Sequence, residues 1–105
     1  MSTLVKLQAM LMQPVVEYRP GLTFKPITPL VRCADGTSLS VQASESHYSC
    51  PRENYGPYTE VEVWCIRSIN KVEVLEFEYD DDEPSAYVNI NSVVAYIDRH
   101  GGLAP

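Results

Sequence analysis

Apolar and polar residues alternate along most of this chain, and the alternation predicts strands. In SLSVQA (38–43), Leu39, Val41 and Ala43 alternate with Ser38, Ser40 and Gln42, giving one buried and one polar face. In YTEVEVWCI (58–66), Thr59, Val61, Val63 and Cys65 share one face, the expected core side. Glu60, Glu62, Trp64 and Ile66 share the other. AYVNI (86–90) alternates in the same way through Ala86, Val88 and Ile90. KVEVLEFEY (71–79) also reads as extended, but its apolar parity changes at Leu75, which predicts a bulge or a short helix.

Two stretches break the alternation. Leu4, Val5, Leu7, Met10 and Leu11 fit helical spacing slightly better than a strand, and Pro14 would end that element. Val93, Val94 and Ile97 make the apolar stripe of a second helix. Asn91 or Ser92 is placed to cap its start, and Gly101 to take a left-handed C-cap. VVEY (15–18) reads as extended, and RPGLTFKPITP (19–29) as a meandering approach to the main domain. Asp35-Gly36, between LVRC (30–33) and SLSVQA, is a hairpin signal. DDDEPS (80–85) reads as a solvated loop. The expected architecture is α+β: a mostly antiparallel sheet with a C-terminal helix on one face. Residues 1–26 are expected to form an N-terminal extension, and 27–105 a single domain.

Composition narrows the function. The chain has 105 residues, with 14 Asp and Glu against 8 Lys and Arg, a net charge of −6. An acidic chain does not neutralise phosphates, so direct nucleic-acid binding is disfavoured. The opening MSTLVKLQAMLMQP is too short and too polar to span a membrane. Three Cys, at 33, 50 and 65, with no secretory signal before them, point to free thiols in a reducing cytoplasm. The spacings of His47, Cys50 and Cys65 do not supply four zinc ligands, and the DDDE run lacks EF-hand spacing. His47 and Cys50 stand three apart in a loop, a weak basis for a thiolate–imidazole pair. We expect no enzyme activity, metal or cofactor.

The densest chemistry lies in HYSCPRENYGPY (47–58). Arg52 offers a planar fork for carboxylate or phosphate. Tyr48, Tyr55 and Tyr58 offer flat faces with polar tips. Pro51, Gly56 and Pro57 restrict the backbone, and preorganisation lowers the entropic cost of binding. The candidate contact residues are Tyr48, Arg52, Asn54, Tyr55 and Tyr58, with Glu60 and Glu62 of the following strand. The acids of 60–83 form a second candidate surface, one that would suit a basic groove on a partner. The competing reading is a rigid connection with its tyrosines packed on the sheet edge.

SVQASESHYSCPRENYGPYTEVEV (40–63), followed by AYVNINSVVAYIDRHGG (86–102), resembles a family of small phage and prophage proteins. The matching elements are Ser40–Ser44, Tyr48–Arg52, Gly56–Tyr58, Val61–Val63 and His100–Gly102. Trp64 and Cys65 depart from the Gly and apolar-Pro turn expected there. The resemblance implies an accessory protein in a bacterial cytoplasm that binds a host or defence protein. Two alternatives stand beside it. One is a sponge for a nucleotide-like phosphorylated ligand, where a homodimer would pool two Arg52 loops. The other is a virion or assembly component.

Overall fold

The alternating segments pair into one antiparallel sheet. A computed structural model describes residues 2–68, 75 and 77–105. In chain order its elements are α1 (Thr3–Leu11), β1 (Val16–Arg19), β2 (Leu22–Phe24), β3 (Val31–Arg32), β4 (Ser38–Gln42), β5 (Glu60–Arg67), β6 (Ser85–Asn89) and α2 (Ile90–Arg99). β3-β4-β5-β6 form the four-stranded sheet, and β1-β2 a separate hairpin. The expected α+β class, with α2 packed against the sheet, is observed. The parity change at Leu75 falls among residues 71–74 and 76, outside the described residues.

Register places the apolar residues together. Val41 pairs with Val63, Val61 with Val88, and Val31 with Leu39. Val93, Tyr96 and Ile97 of α2 and Leu7 and Leu11 of α1 join the same buried cluster. The first helix is therefore core, which residues 1–26 read as an extension did not anticipate. Ser2 caps it, its hydroxyl accepting from the Val5 amide at 3.2 Å. The Thr3 hydroxyl donates to Asp98 Oδ1 at 2.6 Å, tying α1 to α2.

Two segments differ from their sequence reading. Residues 16–24 form a hairpin, because Pro20-Gly21 supplies the backbone of a type II turn, with Gly21 at φ +78°. All seven of its strand residues are exposed. The polar face of β4 is covered as well as its apolar face. Ser38 and Gln42 are both buried, and Gln42 replaces water by holding the Thr28 main chain. It accepts from the Thr28 amide at 2.7 Å and donates to its carbonyl at 2.9 Å.

The second helix is capped two residues before Asn91, the earlier of the two expected positions. Asn89, still paired with Glu60 across the sheet, caps it by accepting from the Asn91 amide at 2.8 Å. Its C-terminus follows expectation: Gly101 lies at φ +89° and the Gly102 amide donates to Ile97 O at 2.9 Å. That end docks on the 33–37 turn. His100 Nδ1 lies 2.5 Å from Asp35 Oδ2 and 3.1 Å from Thr37 Oγ1. The Thr37 amide, opposed by burial and aided by His100, holds the Asp35 carboxyl below its ordinary range. The tail continues beside β3, where the Ala104 amide donates to Arg32 O at 2.8 Å. Among the described residues no helix is long and apolar enough to cross a membrane.

Because Leu11 is fully buried, Leu11→Ala should destabilise the whole domain by about 2–5 kcal/mol in urea unfolding. A change below ~0.5 kcal/mol, the size expected of a surface position, would show that α1 contributes nothing to the core.

Candidate functional site

The 44–58 loop is held by its own polar groups. Ser44, buried at the end of β4, is the hub. Its hydroxyl lies 2.6 Å from His47 Nδ1 and accepts from the Ser46 amide at 3.0 Å. Its carbonyl accepts from the Ser49 hydroxyl at 3.2 Å. The base is closed by Cys50, whose amide donates to Glu60 O at 3.0 Å and whose carbonyl accepts from the Thr59 amide at 2.8 Å. Cys50-Pro51 and Gly56-Pro57 are both cis peptides.

Tyr58 anchors the far end, and it is buried in the core rather than offered at the surface. The Gln8 side chain of α1 grips its main chain on both sides, donating to the carbonyl at 2.7 Å and accepting from the amide at 3.0 Å. Its hydroxyl donates to Glu53 O at 2.9 Å and accepts from Lys25 Nζ at 3.1 Å. Lys25 also donates to Ala43 O and sits 4.8 Å from the Tyr58 ring centroid. Burial lowers the Lys25 pKa. It raises that of Tyr58, with the Glu53 charge adding to the shift. Gly56 packs closely here, since a Cβ would lie 3.0 Å from the Tyr58 ring and the ring would have to give by a few tenths of an ångström.

With the backbone fixed, a small ledge faces solvent. Arg52 stacks over Tyr48, its Cζ 5.0 Å from the ring centroid, while its Nε donates to Glu45 O at 3.2 Å. Asn54 Oδ1 accepts from the Glu45 amide at 3.1 Å, so Arg52 and Asn54 hold one residue from two sides. Glu62 accepts from the Tyr48 amide at 3.0 Å. The Tyr48 carbonyl accepts from the Tyr87 amide at 3.0 Å, and the two rings lie 5.8 Å apart. Tyr87 adopts φ +51°, uncommon for a residue with a side chain.

Of the sequence-predicted contact residues, Tyr48, Arg52 and Glu62 come together. Tyr55 is exposed, with 66% of its surface in solvent. Asn54 is half-buried and holds the loop, and Glu60 is half-buried at its base. Sequence reading missed Gln8, Lys25 and Tyr87. The first two act from 50 and 33 residues away, and Tyr87 was visible only as a polar-face position of a short strand.

Ser44 is buried where a substrate would not reach it, whereas the loop's Cys50 is an exposed free thiol. The Ser44–His47 contact has the length of a nucleophile–base hydrogen bond, but Ser44 is 3% exposed and its oxygen already accepts an amide. His47 Nδ1 is directed to Ser44. Among the described residues no group of three or more His, Cys, Asp or Glu is arranged to hold a metal ion; the Cys65 side chain lies outside the described atoms.

Two measurements probe this construction. Gln8→Ala strips both main-chain groups of Tyr58 of their partners, and about 1–3 kcal/mol of stability should be lost in urea unfolding. His47 is held below its ordinary imidazole pKa by burial, with Glu62 opposing and Lys25 and Arg52 assisting. The folded loop thus disfavours the imidazolium. Stability should be greatest above the ordinary range and fall as pH drops from about 6.5 through the lowered folded value. An NMR titration should give a His47 midpoint below that of a free imidazole; one at or above it would contradict the burial argument.

No protein-family model, curated protein or solved structure matches this chain.

Proposed function

We propose that this chain is a non-enzymatic accessory protein of phage type, which binds and modulates a bacterial host or defence protein in the cytoplasm. The exposed Tyr48, Arg52 and Tyr55 of the loop carry the contact. The observation behind this reading is the division of labour within the loop. Its backbone and small side chains are engaged in holding one another, while one Arg and two Tyr stay at the surface. Arg and Tyr are the residues over-represented among interface hot spots, and a rigid loop loses little entropy on docking. The positive φ of Tyr87 fits the same picture, since strained backbone clusters at functional positions. The net charge of −6 favours a partner with a basic face, and Glu62 lies directly beneath Tyr48 to contribute to that field.

The reading is tested by affinity capture from host lysate, followed by titration with the captured protein. Arg52→Ala with Tyr55→Ala should weaken binding at least ~30-fold, the equivalent of about 2 kcal/mol, and leave the unfolding midpoint in place. A double variant that binds as wild type removes the ledge from the interface.

A further inference from the structure

The pairing of β5 with β6 contains an irregularity beside the loop. Val61 and Val63 stand two apart on β5, while their partners Val88 and Ser85 stand three apart on β6. β6 therefore carries one extra residue, and Ala86 and Tyr87 together stand opposite Glu62. This is a β-bulge, a feature that re-aims a side chain and is enriched beside functional sites. Tyr87 takes the positive φ within it, +51°. Gly or Asn enters that region readily. A bulky side chain there is an outlier that persists only where its surroundings hold it.

Tyr48 is what holds it. The Tyr87 amide donates to the Tyr48 carbonyl at 3.0 Å, and the two rings meet at 5.8 Å with their planes 52° apart. From β5, Glu62 accepts from the Tyr48 amide at 3.0 Å. Both main-chain polar groups of Tyr48 are thus gripped by the two strands that form the bulge. The Tyr48 ring, braced by Tyr87, carries Arg52 over it, with Cζ 5.0 Å from the centroid. An aromatic pair and a cation over a ring are each favourable contacts. Tyr48 and Tyr87 keep 47% and 45% of their surface in solvent, so the row from Tyr87 through Tyr48 to Arg52 lies open to a partner. Gly at 87 would take the same φ without strain but would leave Tyr48 unbraced.

We propose that Tyr87 is a positioning residue of the contact surface: the bulge turns it onto Tyr48, and Tyr48 so braced sets Arg52 in the geometry that the partner meets. This rests on the reading of the loop as a contact surface, and it adds to that surface a residue from outside the loop. A bulge that merely ends regular pairing at the sheet edge would make Tyr87 matter to stability alone.

Three variants separate the two cases. Tyr87→Gly relieves the backbone and removes the ring. Tyr87→Asn removes the ring while keeping a side chain that tolerates the left-handed region. Tyr87→Phe keeps the ring, which with the amide makes the contact to Tyr48. NMR of the full chain without partner should show Overhauser contacts between the Arg52 side chain and the Tyr48 ring, and Arg52 δ protons moved upfield by that ring. Both signals should survive in Tyr87→Phe and be lost in Tyr87→Asn and Tyr87→Gly. Their retention in either ring-less variant overturns the proposal, whatever the loop binds. Affinity for the captured host protein reads the consequence. Tyr87→Asn should weaken binding at least ~10-fold and Tyr87→Phe by less than about twofold, and Arg52→Ala should cost little more when added to Tyr87→Asn. Full additivity of Tyr87→Asn and Arg52→Ala also overturns it, since Tyr87 would then not act through Arg52. Wild-type binding by Arg52→Ala with Tyr55→Ala counts against the loop as a contact surface, while the NMR result judges Tyr87 separately.

Discussion

Four parts of the molecule meet at the buried Tyr58. α1 holds its main chain through Gln8, the segment after β2 reaches its ring and hydroxyl through Lys25, the loop receives its hydroxyl proton at Glu53, and β5 begins two residues later. Each contact satisfies a polar group that burial would otherwise leave without water. The cost of enclosing Lys25 is offset by the Ala43 carbonyl, the phenol oxygen and the ring face together. Because these partners come from distant parts of the chain, the loop can take its path only when the whole domain has assembled.

That dependence explains why the surface ledge is well defined. Ser44, Cys50 and Tyr58 fix the loop at its start, middle and end, and the side chains between them inherit the fixed backbone. Arg52 and Asn54 each spend one polar atom on Glu45, which positions Arg52 against Tyr48. The loop is a rigid connection, and it leaves Tyr48, Arg52 and Tyr55 outside.

Local signals were legible in the sequence and distant ones were not. The 34–37 hairpin follows from Asp-Gly chemistry, the core faces of β4 and β5 from alternation, and the end of α2 from Gly101. The start of α2 was misplaced because Asn89 serves strand and helix at once, a dual role that composition does not mark. The β1–β2 hairpin was hidden by the prolines around it, although Pro20-Gly21 is a turn signature. Tyr58 was read with the other loop tyrosines because nothing within a few residues distinguishes it. Its burial is decided by Gln8 and Lys25.

The tail that runs beside β3 has a further consequence for how this molecule meets others. Leu103 bridges Cys33 and the Ala104 amide occupies Arg32 O, so one edge of the sheet is already partnered. On the opposite edge, the Tyr87 amide is occupied by Tyr48 O. A sheet guarded in this way offers little unpaired main chain for generic strand addition, the route by which sheets join indiscriminately. Association that does not use these edges rests on side chains, where it depends on residue identity.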